Sequence, residues 1–167
     1  GNFIISEESV DQFDKALSLL DNSIIELRRV AHNMMPEVLT KLGLKDALSD
    51  FCSQLQDEKS PKITFQFYGE DSRVDSALEI SIYRITQELL NNAIKHANAT
   101  EVIVQLVQDV KRIHITVHDN GKGMEISPTE KSKGAGLSNI KARVSSLNGQ
   151  LDIDSKPGEG TEISAEF

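Results

Sequence analysis

The segment QELLNNAIKHA at residues 87–97 is the first of four short motifs that follow one another in the second half of the chain. The others are DNGKG at 119–123, GAGL at 134–137 and GEGT at 158–161. Each is weak evidence alone, because glycine-rich tetrapeptides occur by chance in a chain of this size. Together they combine a polar helix face, an acidic turn and two further glycine turns. That combination predicts a pocket for a polyanionic, magnesium-bound nucleotide.

The helix that carries the first motif, expected over residues 76–97, has two different faces. Its apolar stripe is formed by Leu78, Ile82, Ile85, Leu89 and Ala93. On the other side Glu88, Asn92 and Lys95 follow at offsets of four and three, within about 60° of one another, and His96 extends this face. A polar helix face is usually a solvated surface. Beside the later motifs it predicts the wall of a site, since amide and carboxylate oxygens suit magnesium and a lysine suits phosphate.

The second and third motifs predict two further parts of the site. Asp119 ends an expected strand, and Asp-Asn-Gly is also ideal chemistry for an ordinary turn. In the functional interpretation its carboxylate accepts a hydrogen bond from a ligand amine, while Gly121 and Gly123 let the ligand approach the backbone. Gly134 and Gly136 precede a helix, whose first amides and dipole form an anion site.

The remaining periodicity predicts an α+β sandwich, with one mostly antiparallel sheet covered on one face by helices. We expect strands at 62–68, 101–108, 111–118, 150–155 and 161–167, and further helices at 44–57 and 137–147. A tight turn around Asp109 and Val110 joins the second and third strands. Residues 120–135 lack hydrophobic periodicity and predict a mobile loop, in which Lys131 and Lys133 can reach phosphates.

Residues 6–35 predict one long helix that precedes this domain. Its apolar positions alternate in steps of three and four: Val10, Phe13, Leu17, Leu20, Ile24, Leu27, Ala31 and Met34. This unbroken heptad seam favours a helix bundle or dimer over a helix that lies on its own domain. Pro36 ends or kinks the helix.

Composition excludes several classes of protein. The net charge of −8 argues against nucleic-acid binding, which needs a basic surface. No apolar run approaches the length of a membrane span, so we expect no membrane contact by this fragment. A single cysteine, Cys52, rules out an internal disulfide, and its apolar neighbours predict core packing rather than a nucleophile. Gly1 resembles a residue left by tag cleavage, which suggests a fragment of a longer protein.

In this order, the four motifs resemble the ATP-binding domain of sensor histidine kinases. That fold is shared with gyrase-type, Hsp-type chaperone and mismatch-repair ATPases and with anti-sigma-factor kinases. YRITQELLNNAIKHA at 83–97 and LRRVAHNMMPEVLTKLGLKDAL at 27–48 are similar to the kinase subfamily typified by nitrate sensors. The resemblance implies a two-layer α/β sandwich of the histidine kinase/gyrase-type ATPase fold at 40–167. Residues 1–39 would then hold the second helix of a dimerisation hairpin.

The resemblance also implies roles for the motif residues. Asn92 would bind magnesium, and Glu88 would be its catalytic partner near the γ-phosphate. Asp119 would contact the adenine amino group, and residues 124–133 would be the ATP lid, whose shortness suits a kinase. The implied ATP-binding residues are Asn92, Lys95, His96, Asp119, Gly121, Gly123, Met124, Lys133, Gly134, Gly136, Leu137 and Thr161.

One departure from the family pattern concerns the phosphoacceptor. In the family this histidine lies on the first hairpin helix, usually before an acidic residue, and that helix is not in this sequence. His32 is followed by Asn33, so we expect a structural or solvated imidazole there rather than the acceptor. His114 and His118 lie on one strand and are expected to be ordinary residues, without a zinc set.

The implied activity is transfer of the γ-phosphoryl group of Mg-ATP to a histidine on the missing helix, and onward to a response regulator receiver domain. The intact protein would be a homodimer through the heptad helix. It would act in the cytoplasm, where the parent can be anchored in the inner membrane. The alternative is a nucleotide-binding regulatory module or an anti-sigma-factor-like serine kinase on the same fold. That alternative predicts a domain without the heptad helix or the segment LGLKDAL at 42–48.

Overall fold

A five-stranded sheet with helices packed on one face forms the part of the chain that the computed structural model describes, residues 37–57, 60–125 and 135–167. The predicted helix at 6–35 lies outside the described residues, as does most of the predicted lid. The helices are α1 (Glu37–Leu42), α2 (Leu44–Gln54), α3 (Ser76–Asn92), which continues as a π-helical turn (Ala93–Ala97), and α4 (Ala135–Ser146). The strands are β1 (Lys62–Gly69), β2 (Glu101–Gln108), β3 (Ile113–Asp119), β4 (Gln150–Lys156) and β5 (Gly160–Glu166).

The sheet has the order β1-β2-β3-β5-β4. Only the β1–β2 pair is parallel, and the other three pairs are antiparallel. Burial alternates along β2 and β3, so one face of the sheet points into the core and the other is partly exposed. We call these the inner and the outer face. The predicted two-layer α+β sandwich with one mostly antiparallel sheet is confirmed.

The core lies between the inner face and the helices. Leu48 of α2, Ile82 and Leu90 of α3 and Val104 of β2 are fully buried. Burial of such side chains is the main stabilising contribution in a domain of this size. Cys52 is also buried there, and burial raises the pKa of its thiol to about 12. Its predicted role in core packing is confirmed.

An ion pair between a buried carboxylate and a half-exposed guanidinium joins the loop after β1 to two helices. Glu79 of α3 is only 2% exposed, and it accepts hydrogen bonds from Arg73 Nε at 2.9 Å and Arg73 Nη2 at 2.8 Å. The same guanidinium donates to the carbonyl oxygens of Leu39 and Thr40 at the end of α1. The sequence analysis predicted neither this pair nor the short helix α1. Arg73 thereby holds α1 against the first turn of α3.

Several predicted boundaries need correction. The predicted helix at 44–57 ends at Gln54. The predicted turn at Asp109 and Val110 is present but extends through residue 112, so β3 begins at Ile113 instead of residue 111. The Asp109 carboxylate accepts hydrogen bonds from the amides of Lys111 and Arg112, at 2.7 and 2.9 Å. These two amides are therefore held in the turn, and the same bonds lower the pKa of Asp109.

In the described part of the chain, no helix has the length and apolar character that a membrane crossing requires.

Candidate functional site

The polar face of α3 meets the start of α4. Glu88 and Asn92 are half-buried and lie one helical turn apart. A Cβ atom added at Gly136 would lie 2.6 Å from Glu88 Oε1 and 3.3 Å from Asn92 Nδ2. A side chain at this position would have to displace the Glu88 carboxylate from its place beside α4. The structure therefore brings Glu88, Asn92 and Gly136 together, as the sequence analysis expected.

This corner has the chemistry of a site for a hard cation and an anion. Within the described residues the side chains of Glu88 and Asn92 have no hydrogen-bond or ion-pair partner, so their oxygens are available to a ligand. Such oxygens suit magnesium. Among the same residues no group of three His, Cys, Asp or Glu side chains could hold a metal alone. A cation here would therefore share its coordination with ligand oxygens, as magnesium does when it is bound with nucleotide phosphates.

The C-terminal turn of the helix is π-helical, and such turns are frequent at functional sites. It carries Lys95 and His96, both exposed, and within the described residues no hydrogen bond or ion pair joins their side chains to another residue. The turn also presents the carbonyl oxygen of Ala97, which accepts a hydrogen bond of 2.7 Å from the amide of Lys122. The first motif is thus tied to the second through the backbone.

Asp119 is a buried carboxylate at the end of β3. Its side chain is 6% exposed, and Oδ1 accepts a hydrogen bond of 2.9 Å from the amide of Gly121. Its Oδ2 accepts no hydrogen bond from any other described residue. Burying a carboxylate is costly unless it is paired. The second oxygen is not fully buried, so it is accessible to a donor from outside the protein, and the role of Asp119 stays a prediction.

The glycines of the second motif make room for the protein's own backbone. A Cβ atom at Gly121 would collide with the carbonyl oxygen of Ala97, and one at Gly123 with that of Lys156. Gly123 also has a φ of 61°, which glycine adopts readily. We expected these glycines to admit a ligand. In the structure, what approaches them is the end of α3 and the β4–β5 hairpin.

Three polar side chains form one row across the inner face. Asp119 on β3 lies opposite Thr161 on β5, and Thr161 lies opposite Ser155 on β4. All three are buried. Ser155 Oγ lies 2.9 Å from Thr161 Oγ1, and it accepts a hydrogen bond of 2.9 Å from the amide of Met124. We call this set the hydroxyl row.

Ser155 was missed by the sequence analysis. The PGEG turn at 157–160 sets the register of the β4–β5 hairpin, and that register places Ser155 directly opposite Thr161. This signal was present in the sequence and could have identified the residue.

Asn120, the second residue of the Asp-Asn-Gly turn, has a structural role. Its Oδ1 accepts hydrogen bonds from the amides of Thr100 and Glu101, at 2.9 and 3.0 Å, and its Nδ2 donates to Thr100 Oγ1. These bonds fix the acidic turn to the start of β2.

The remaining predicted site residues are either less closely associated with these side chains or outside the described residues. Met124 is 38% exposed, beside the hydroxyl row. Leu137 is half-buried and packs against the core at the start of α4. Lys133 and Gly134 lie outside the described residues, together with residues 126–132 of the predicted lid and His32.

The amino-acid sequence is similar to those of known histidine kinases. Residues 77–167 match the family described as histidine kinase-, DNA gyrase B- and HSP90-like ATPases. The chain is 32% identical over 158 residues to the signal transduction histidine-protein kinase/phosphatase DegS of Brevibacillus brevis, covering 94% of this chain and 40% of DegS. It is 33% identical over 162 residues to the sensor histidine kinase ComP of Bacillus subtilis, covering 96% of this chain and 21% of ComP. The chain thus spans less than half of either relative.

Comparison with solved structures concerns the fold. The histidine kinase domain of a blue-light activated histidine kinase from Erythrobacter litoralis superposes with a TM-score of 0.59 at 23% identity, covering 74% of this chain and 60% of that domain. The catalytic domain of histidine kinase ThkA gives a TM-score of 0.58 at 18% identity, covering 74% of this chain and 90% of that domain. The described sheet and helices therefore have the fold of histidine kinase catalytic domains.

Proposed function

The chain belongs to the family of histidine kinase-, DNA gyrase B- and HSP90-like ATPases, and from this premise we propose that residues 40–167 are the ATP-binding catalytic domain of a two-component sensor histidine kinase. Two relatives that match 94% and 96% of this chain are named as histidine kinases, and they support the kinase branch of the family. The single observation that carries the proposal is the buried Asp119 carboxylate, which has one oxygen without a protein donor in the described part of the chain.

Binding of the base is assigned to the inner-face end of β3. The Asp119 carboxylate accepts a hydrogen bond from the exocyclic amino group of adenine, and such bonds to a charged group are stronger than neutral ones. Thr161 lies beside it on β5. The backbone around Gly123 forms the floor below the base, because the β4–β5 hairpin holds it there.

Binding of the phosphates is assigned to the corner between α3 and α4. Asn92 would hold magnesium, Glu88 would contribute near the γ-phosphate, and the first amides of α4 after Gly136 would bind the phosphate oxygens. Magnesium would neutralise charge on the phosphates. We also assign Lys95 and His96, at the exposed end of the helix, to the phosphates. Lys133 and Gly134 lie outside the described residues and keep the phosphate-binding role that the sequence predicts. Phosphoryl transfer asks mainly for positioning and charge neutralisation, which this set of groups can provide.

In the intact protein, the γ-phosphoryl group would pass to a histidine imidazole on a separate helix and then to an aspartate of a response regulator receiver domain. The heptad positions of residues 6–35 support a homodimer, with residues 1–39 as part of its dimerisation hairpin. The site would act in the cytoplasm, where ATP is available.

The test is calorimetric titration of the chain with Mg-ATP. We expect Asp119→Ala to weaken binding by about 100-fold or more, because the ligand amine loses a charged acceptor in a buried position. The matched control is His118→Ala, one residue earlier on β3 but on the outer face, which should leave the affinity within about two-fold. Circular dichroism verifies the fold of both variants. Equal affinities of wild type and Asp119→Ala would refute the assignment of the base site.

A further inference from the structure

The chain contains two Asn-Gly pairs, Asn120–Gly121 in the acidic turn and Asn148–Gly149 after α4. In such a pair the main-chain nitrogen of the glycine can attack the side-chain carbonyl carbon of the asparagine, because glycine has no side chain that hinders the approach. The new C–N bond closes a succinimide ring, and the side-chain nitrogen leaves as ammonia with the proton of the attacking amide. Water then opens the ring at either carbonyl group and leaves aspartate or isoaspartate. The reaction requires that the side chain and the attacking nitrogen are free to approach each other.

The side chain of Asn120 is held by three hydrogen bonds. Its Oδ1 accepts from the amides of Thr100 and Glu101, at 2.9 and 3.0 Å, and its Nδ2 donates to Thr100 Oγ1 at 2.9 Å. The attacking nitrogen is held as well, since the amide of Gly121 donates to Asp119 Oδ1. Asn120 is exposed to water, but these bonds must open before it can react.

Asn148 follows α4 and is restrained through its main chain alone. It has a left-handed φ of 57°, and the amides of Asn148 and Gly149 donate to the carbonyl oxygens of Ser145 and Val144, at 3.1 and 3.0 Å. These two bonds are those of a Schellman motif, a common helix ending. The side chain of Asn148 is exposed and makes no hydrogen bond within the described residues. Because helix ends open more readily than the interior of a sheet, both groups needed for the reaction become free here at low cost.

We propose that Asn148 is a site of spontaneous deamidation and isoaspartate formation, and that the hydrogen bonds of Asn120 protect the acidic turn from the same reaction. At Asn120 the reaction would place a second carboxylate beside Asp119. At Asn148 it places a negative charge at the C-terminal end of α4, where the helix dipole disfavours it. Isoaspartate also lengthens the main chain within the Schellman motif and breaks its hydrogen-bond pattern. The inference holds whichever ligand binds at Asp119.

The experiment incubates the full chain in mildly alkaline buffer and follows the loss of each side-chain amide by mass spectrometry. The tryptic peptides 113–122 and 144–167 each contain one of the two asparagines, and fragmentation distinguishes aspartate from isoaspartate. We expect Asn148 to react about 100-fold faster than Asn120, because three hydrogen bonds of ordinary strength must open at Asn120. Similar rates at the two positions, or a faster reaction at Asn120, would overturn the proposal.

The same chain unfolded in urea is the matched control, since unfolding removes the hydrogen bonds and keeps both Asn-Gly pairs. The two asparagines should then react at similar rates. A difference that persists in urea would mean that sequence neighbours determine the rates, and would refute the protective role of the hydrogen bonds. A folded chain that keeps both amides for as long as the unfolded chain takes to lose them would refute the assignment of Asn148.

Substitutions at Thr100 test the protection directly. Thr100→Val removes the hydroxyl that binds Asn120 Nδ2, so the reaction at Asn120 should accelerate about 3- to 10-fold, the worth of one hydrogen bond, while Asn148 keeps its rate. Thr100→Ser keeps the hydroxyl and should react like the wild type. An unchanged rate at Asn120 in folded Thr100→Val would refute the protective role, and if this variant does not fold, the ratio of the two rates in the wild type is the test. Asn148→Gly, which suits the left-handed helix ending, should abolish the modification of peptide 144–167, and modification that persists there would overturn the assignment.

Discussion

The two ends of α3 treat polar side chains in opposite ways. At the N-terminal end the protein supplies every partner: Asp75 accepts hydrogen bonds from the amides of Ala77 and Leu78, and Glu79 is paired with Arg73. At the C-terminal end, among the described residues, the side chains of Glu88 and Asn92 have no such partner, although both are half-buried.

The difference separates structural polar groups from those available to a ligand. A buried polar group stabilises a fold only when it is hydrogen-bonded, and it is costly otherwise. Paired groups at the N-terminal end lower the free energy of the folded state. Unpaired groups at the other end do not, and the proposed function assigns their arrangement around Gly136 to a ligand that would complete the pairing. We call the two regions the closed end and the open end of α3.

The largest expected effect concerns the tight backbone packing beside Asp119. Gly158 and Gly160 have the same φ of 84°, but a Cβ atom at Gly158 would meet nothing within 4 Å, whereas one at Gly160 would collide with the carbonyl oxygen of Asp119. We expect Gly158→Ala to cost about 1–2 kcal/mol, from the left-handed backbone alone. Gly160→Ala should cost about 2 kcal/mol more, because the sheet must also move.

Urea unfolding of both variants measures this difference. Equal free energies of unfolding would mean that the backbone near Asp119 can yield without cost. The end of β3 that carries Asp119 would then not be held by backbone packing.

A matched pair of substitutions tests the comparison itself. Glu79→Gln and Glu88→Gln make the same chemical change at opposite ends of one helix. Glu79→Gln should lower stability by about 1.5–3 kcal/mol, since the new amide places a donor against the guanidinium of Arg73. Glu88→Gln should change stability by less than about 0.5 kcal/mol, because the carboxylate has no partner in the described part of the chain. Chemical denaturation checks both.

Nucleotide affinity is a second measurement that distinguishes Glu79→Gln from Glu88→Gln. Glu79→Gln should leave Mg-ATP affinity within about two-fold, because the closed end does not touch the site. A loss of stability in Glu88→Gln as large as that in Glu79→Gln would break the distinction between the two ends.

Hydrophobic periodicity was sufficient to predict the fold, because it reflects which side chains of each element are buried. The alternation of Val102, Val104 and Leu106 in β2, and the stripe with Ile82 and Ile85 in α3, are direct consequences of packing against one core. The strands of the β4–β5 hairpin were predicted to within one residue, since the PGEG turn determines where both end.

Features that depend on contacts between distant segments were not predicted. The Arg73–Glu79 pair crosses a loop, and Arg73 also contacts Leu39, thirty-four residues away. The π-helical turn follows no local pattern, and the carbonyl oxygen it presents at Ala97 bonds with Lys122. Residue types and motif order could predict which elements carry the candidate site. They could not distinguish a glycine that leaves room for a ligand from one that is packed against another segment of the protein's own backbone.

The smallest expected effect concerns the first turn of α3, at the closed end. One oxygen of Asp75 accepts hydrogen bonds of 2.9 and 3.2 Å from the amides of Ala77 and Leu78. Asp75→Ala should lower the free energy of unfolding by about 1 kcal/mol, the usual worth of an N-cap. Asp75→Asn keeps an oxygen acceptor and removes the charge, so it should cost less than about 0.5 kcal/mol. If both variants cost the same in urea unfolding, the charge near the helix dipole stabilises this end rather than the hydrogen bonds. If neither costs anything, pairing at the closed end does not stabilise the fold, and the contrast with the open end loses its energetic basis.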